Sequence, residues 1–112
     1  MKYSTFLVED EPVAMQNLER LLSNHTSKLE IIGKASNGID ALEAINKLKP
    51  DIVFLDVQIP GLTGFEVLAK LEHLPLVIFT TAYSEYALKA FDTHAIDYIL
   101  KPITQQKIEI AL

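Results

Sequence analysis

Four short stretches of the sequence hold side chains that could handle a cation and an anionic oxygen together. Glu9, Asp10 and Glu11 follow the apolar Phe6-Leu7-Val8, and Asp56 follows Ile52-Val53-Phe54-Leu55. Thr80 and Thr81 follow Leu76-Val77-Ile78-Phe79, and Lys101 stands between Tyr98-Ile99-Leu100 and Pro102. Carboxylate oxygens suit Mg2+, which keeps several waters and takes only one or two carboxylates. A lysine supplies a point positive charge and a threonine a hydroxyl donor, and both suit phosphoryl oxygens. Taken singly, each stretch has an ordinary explanation. Acids ahead of a helix complement its dipole, and an Asp after a strand often shapes a turn. Thr80 and Thr81 are β-formers, and a lysine before a proline can be plain surface. None of this explains why all four stretches fall at the end of an apolar run.

The elements that must position them alternate along the chain. Phe6-Leu7-Val8, Ile31-Ile32, Ile52 to Leu55, Leu76 to Phe79 and Tyr98 to Leu100 are short, nearly continuous apolar runs rich in β-branched and aromatic residues. Such runs predict parallel strands covered on both faces. Between them lie helical spacings: Ala14, Leu18, Leu21 and Leu22; Ala41, Leu42, Ile45 and Leu48; Phe65, Leu68 and Leu71; and Ala87, Leu88 and Phe91. A fifth helix is expected from Gln105, with Ile108 and Leu112 on one side. Pro12 suits a first helical turn, Asn37 a helix cap, and Pro50 a position beyond a helix end. Gly61 and Gly64 bracket the loop into the third helix. The pattern predicts an α/β fold with an open, doubly wound parallel sheet. In such a sheet, ligands bind beyond the carboxyl ends of the strands, where all four stretches fall.

Composition narrows the class. The chain has 112 residues, 49% of them hydrophobic, and a formal net charge of −5. That length suits one domain, residues 1–112, and the apolar fraction argues against intrinsic disorder. The negative balance argues against nucleic acid or an anionic membrane as a direct partner. With no cysteine, disulfide staples, thiolate metal sites and Cys nucleophiles are excluded. No apolar run approaches the roughly 20 residues of a membrane helix, and Met1 to Thr5 lacks a signal-peptide layout. A soluble, cytoplasmic domain is expected. The last helix has no stop signal at Leu112, so we expect it to be truncated there, with any output domain lying outside this sequence.

Over essentially its whole length the sequence resembles the receiver domain of two-component response regulators. The resemblance is carried by Val8-Glu9-Asp10-Glu11-Pro12, by Pro50 to Gly64 around Asp56, by Thr80-Thr81-Ala82, and by Tyr98-Ile99-Leu100-Lys101-Pro102. It implies a flavodoxin-like (βα)5 fold with strand order 2-1-3-4-5 and a role as phosphoacceptor rather than turnover enzyme. Asp56 would accept a phosphoryl group from the phosphohistidine of a sensor histidine kinase. Asp10, Asp56 and the backbone carbonyl of Gln58 would ligate Mg2+, with Glu9 acting mostly through water. Thr81 and Lys101 would each engage a phosphoryl oxygen, and Lys101-Pro102 would be cis. Tyr98 matches the switch aromatic that swings inward as the threonine is drawn to the phosphate. Asp10 and Asp56 crowd negative charge that the metal must offset before another anion approaches. Glu9 departs from the commoner Asp at its position. Gln58 and Tyr83 occupy positions that influence phosphoryl hydrolysis.

A narrower resemblance, to receivers of LytTR-type regulators, covers Tyr83 to Phe91 and Ala95 to Pro102. It implies a parent chain that binds DNA through an appended domain, and a homodimer when phosphorylated. The expected switch surface is the face of the fourth helix, fifth strand and fifth helix. His25, His73 and His94 match no metal-binding spacing, and Tyr86 reads as packing or partner surface. Three other readings compete. A small Mg2+-dependent phosphohydrolase using Asp56 as nucleophile lacks room for a cap domain and a second acid for the leaving group. An FMN carrier would want Gly, Ser or Thr where Glu9 to Glu11 stand. A degenerate receiver working without phosphorylation fits poorly with Asp10, Asp56, Thr81 and Lys101 all present.

Overall fold

The structure, a computed structural model, describes residues 2–82 and 97–111. Five strands, β1 (Tyr3–Val8), β2 (Leu29–Ala35), β3 (Ile52–Asp56), β4 (Leu76–Thr81) and β5 (Asp97–Leu100), form one sheet in the order β2-β1-β3-β4-β5. Every neighbouring pair is parallel. The helices are α1 (Pro12–Leu22), α2 (Gly38–Leu48), α3 (Gly64–Lys70) and a C-terminal helix, α4 (Gln105–Ala111). The expected α/β class and strand order 2-1-3-4-5 are both borne out. The helical pattern at Ala87, Leu88 and Phe91 lies outside the described residues, together with Tyr83, Tyr86 and His94. Among the described residues, no helix is long and apolar enough to cross a membrane.

Side-chain alternation divides each central strand between two cores. Phe6, Val8, Val53, Leu55, Val77 and Phe79 pack with Ala41 and Ile45 of α2 and Val67 and Leu68 of α3. Leu7, Ile52, Phe54 and Ile78 pack on the other face with Met15, Leu18, Leu21 and Leu22 of α1 and Ile108 of α4. The continuous apolar runs are thus two interleaved stripes, each facing its own helix layer. The edge strand departs from expectation. Ile31 of β2 is 40% exposed, because among the described residues β2 is an edge strand that pairs only with β1. On α1, Met15 is buried where the spacing had favoured Ala14, which is only half-buried. Leu48, at the end of α2, turns outward.

Local signals end the elements where the sequence indicates. Pro12 opens α1, and the Asn37 side chain accepts the Asp40 N–H at 2.8 Å. Lys49 closes α2 in the left-handed conformation just ahead of Pro50. Thr63 and Glu66 form a reciprocal capping box at the start of α3.

The register brings the carboxyl ends of the strands level. Val8 lies opposite Leu55, Asp56 opposite Thr80, and Thr81 opposite Leu100. From β1 the chain steps to one side for β2 and to the other for β3, so the switch in strand order falls between β1 and β3. Glu9 and Asp56 flank it. Beneath Asp56 the packing is tight: a Cβ at Gly64 would lie 2.5 Å from the Asp56 carbonyl oxygen and 3.1 Å from the Val57 Cα. Both obstacles are backbone and cannot rotate away. Gly64→Ala should therefore cost roughly 1–3 kcal/mol in chemical denaturation, the range for overpacking. Wild-type stability for this variant would show that the α3 entry relaxes freely and does not hold Asp56.

Candidate functional site

Glu9, Asp10 and Glu11 leave the end of β1, Asp56 is the last residue of β3, Thr81 ends β4, and Lys101 follows β5. Backbone bonds continue the ladder past the strand ends and fix these positions. The Glu9 N–H donates to the Ala35 carbonyl at 3.1 Å, that of Val57 to Thr80 at 3.1 Å, and that of Lys101 to Thr81 at 2.6 Å. The Lys101-Pro102 peptide is cis, as the resemblance implied.

The center of the site is an ammonium between two buried carboxylates. Lys101 Nζ donates to Glu9 Oε1 at 2.5 Å and to Asp56 Oδ2 at 3.1 Å. Glu9 and Asp56 are each only 4% exposed. Their remaining oxygens accept backbone donors: the Glu11 N–H reaches Glu9 Oε2 at 3.3 Å, and the Gln58 N–H reaches Asp56 Oδ1 at 3.2 Å. Asp10 is exposed beside them. One carboxylate oxygen from each of Glu9, Asp10 and Asp56 can be chosen so that all lie within 4.8 Å of one another. An open cavity of about 280 Å³ adjoins the cluster, and its walls include Asp10, Asp56, Gln58, Thr81, Ala82 and Lys101. Thr81 is buried and Gln58 exposed. Tyr98 is not in the cavity wall. It pairs in register with Phe79 and lies half-buried against the core to which Phe79 belongs.

Charge crowding sets the acidities. Burial, and then the neighbouring Glu9 carboxylate, push the Asp56 carboxyl up to about 7, with Lys101 pulling the other way. Burial alone would also raise Glu9, but its bond to Lys101 holds it below the ordinary carboxylate value. Asp10 is raised by partial burial and by the charges of Glu9 and Glu11. Burial would lower Lys101, yet Glu9 and Asp56 keep it above the ordinary lysine value, so it stays charged.

The donor set fits a hard divalent cation: several carboxylate oxygens in reach of one another, with no imidazole or thiolate among them. The structure brings together Glu9, Asp10, Asp56, Thr81, Lys101 and the Gln58 backbone. Two of the three histidines lie among the described residues, and neither joins the site. His25 Nε2 meets the Gln105 side chain at 2.5 Å, and His73 sits in the loop after α3 with its Nε2 buried and unpartnered. The sequence missed the direct contact between Glu9 and Lys101. Its one available signal was the extra methylene of glutamate at that position.

A family model described as the response regulator receiver domain matches residues 5–112. The transcriptional regulatory protein BtsR of Escherichia coli strain K12 is 45% identical over 108 residues, 95% of this chain and 45% of that protein. The chain therefore spans less than half the length of that relative. The response regulatory domain of mrkE from Klebsiella pneumoniae superposes with a TM-score of 0.86 at 38% identity, covering 96% of this chain and 90% of the other. The signal receiver domain of NarL from Mycobacterium tuberculosis gives 0.87 at 28% identity, covering 98% and 92%.

The acidity of Asp56 carries a stability consequence. Between its ordinary value of 3.8 and about 7 the folded carboxyl holds a proton that the unfolded one has lost. Its contribution to stability is thus complete below the ordinary value and is lost as pH rises through about 7. In metal-free buffer, Asp56→Asn should be more stable than wild type at pH 8, by on the order of 2–4 kcal/mol, and the difference should shrink to under about 1 kcal/mol by pH 4. Denaturant midpoints at the two pH values check this. An equal difference at both would mean that Asp56 burial carries no such charge cost.

Proposed function

Because the chain belongs to the response regulator receiver domain family, we propose that Asp56 is its phosphoacceptor and that phosphorylation there switches a regulatory surface. The observation that carries this reading is the Asp56 carboxylate at the strand-order switch, facing an open cavity and held by a lysine. In the proposed reaction one Asp56 oxygen attacks the phosphorus of a phosphohistidine on a sensor histidine kinase. The phosphorus–nitrogen bond breaks, its electron pair stays on the imidazole nitrogen, and an acyl phosphate forms on Asp56. The transfer needs positioning and charge neutralisation more than covalent assistance.

Each residue of the site has a share in that task. The backbone N–H of Gln58 holds one Asp56 oxygen in place. Lys101, already 3.1 Å from the other, supplies positive charge to the incoming phosphoryl oxygens, and the hydroxyl of Thr81, which also lines the cavity, supplies a donor. Asp10, Asp56 and the Gln58 carbonyl would hold Mg2+, with Glu9 nearby. Bound there, the ion would offset the negative charge of the acids and of the phosphoryl group. Movement of Thr81 toward the phosphoryl group would carry the signal to Tyr98, two residues along from the Thr81 partner Leu100. The affected surface would be the expected face of the fourth helix, fifth strand and fifth helix, of which β5 and the C-terminal helix lie among the described residues. Phosphorylation shifts the population only as far as its contacts differ between the two states.

The parent protein is read as a cytoplasmic transcriptional regulator of the LytTR type, dimeric when phosphorylated and contacting DNA through a separate domain. Support comes from the Tyr83 to Phe91 and Ala95 to Pro102 stretches, and from BtsR being named a transcriptional regulatory protein. The chain acts as a phosphoacceptor, not as a hydrolase of small phospho-substrates.

Incubation with phosphoramidate, whose phosphorus–nitrogen bond mimics phosphohistidine, tests the assignment by intact mass. Wild type should gain one phosphoryl group with Mg2+ and none with chelator, and Asp56→Asn should gain none. Undiminished labelling of Asp56→Asn would place the acceptor elsewhere. Sustained turnover of small phosphoesters would favour the hydrolase.

A further inference from the structure

Lys107 stands in the first turn of α4, where the positive end of the helix dipole disfavours a cation and an acid would serve the helix better. Its ammonium turns back over the strand end. Lys107 Nζ donates to the Leu100 carbonyl at 2.7 Å and to the Pro102 carbonyl at 3.0 Å. These carbonyls belong to the residues immediately before and after Lys101, so one side chain straddles the residue whose own ammonium lies 3.1 Å from Asp56 Oδ2. The clamp has a firm base. Ile108, the next residue of α4, is fully buried in the core shared with α1. The Ile108 N–H donates to the Thr104 carbonyl at 3.1 Å, and the Lys107 N–H to the Thr104 hydroxyl at 3.3 Å. From the sheet side, the Lys101 N–H is fixed to the Thr81 carbonyl at 2.6 Å. The turn from Leu100 to Pro102 is thus held by strand and helix at once. Lys101 carries its charge on a flexible four-carbon stem, so the position of its backbone limits where that charge can go.

We propose that Lys107 is a positioning residue for phosphoryl transfer: by holding the carbonyls on both sides of Lys101, it fixes where the Lys101 ammonium stands beside Asp56. Lys107 forms no ion pair with Glu9 or Asp56 and does not wall the cavity beside them, so it acts through Lys101 and not on the reacting group. This rests on the phosphoacceptor reading given above. It adds a residue that neither the strand-end pattern nor the receiver resemblance marks.

The test follows the rate of phosphoramidate labelling at saturating Mg2+ in wild type, Lys107→Met, Lys107→Arg, Lys101→Met and the double variant with methionine at both positions. Lys107→Met keeps the apolar stem and loses the donors; Lys107→Arg keeps both. Lys107→Met should slow labelling about 10-fold, within what a displaced reacting group costs, and Lys107→Arg should recover most of the rate. In the Lys101→Met background the same change should slow labelling less than about 2-fold, because no ammonium is left to position. Equal slowing in both backgrounds would overturn the proposal, since Lys107 would then act through its charge or through general loosening. So would a rate unchanged by Lys107→Met, or Lys107→Arg as slow as Lys107→Met. Amide hydrogen exchange gives a readout independent of labelling. In Lys107→Met the Lys101 amide should exchange about 10-fold faster, while the Val57 amide, held by the corresponding bond to Thr80, should exchange as in wild type. Unchanged exchange at Lys101, or equal acceleration at Val57, would contradict a local clamp. Wild type that gains no phosphoryl group would overturn the phosphoacceptor reading and this proposal with it, whereas wild type and Lys107→Met labelled equally fast would overturn this proposal alone.

Discussion

Two carboxylates, Glu9 and Asp56, are withdrawn from water at the heart of this domain, and a single ammonium stands between them. A buried charge is costly unless paired and hydrogen-bonded, and here two negative charges share one positive one. The imbalance is only partly offset by the backbone N–H groups of Glu11 and Gln58. What remains shows in the raised pKa of Asp56. Such a shortage of positive charge suits a cation, and with it a further anion, as the proposed function requires. The site's instability and its chemistry have the same origin.

The fold supplies this arrangement by bringing distant segments to one level. The strand register sets the ends of β1, β3, β4 and β5 side by side, and the bonds from Val57 to Thr80 and from Lys101 to Thr81 extend the ladder into the loops. Gly64 lets α3 begin directly against the Asp56 carbonyl. Two apolar cores, one on each face, clamp the central strands. The acids therefore sit on a scaffold with little room to relax their mutual repulsion by moving apart.

Much of this was legible in the sequence. The five apolar runs fall within the five strands, and the residues expected to carry chemistry gather at one edge. Pro12, Asn37 and Pro50 mark element boundaries as their backbone and capping chemistry dictates. Other features were not legible, for identifiable reasons. The exposure of Ile31 depends on β2 being an edge strand, which a run of isoleucines does not reveal. The burial of Met15 in place of Ala14 depends on how α1 is rotated against the sheet, and neighbouring apolar residues leave that open. The Glu9 to Lys101 contact joins residues 92 apart in the chain and spans two intervening strands, so no local pattern encodes it. The family pattern directed attention from Glu9 toward the metal, while the structure directs it toward the lysine.

On the proposed function, Asp56 and no other acid of the site carries the phosphoryl bond. Borohydride reduction after phosphorylation tests it most directly, because it converts an acyl phosphate to the corresponding alcohol and leaves free carboxylates untouched. Peptide mapping by mass spectrometry should find homoserine at position 56 and nowhere else. A reduced residue at Glu9 or Asp10, or an unreduced phosphate on Thr80, Thr81 or a histidine, would contradict the account.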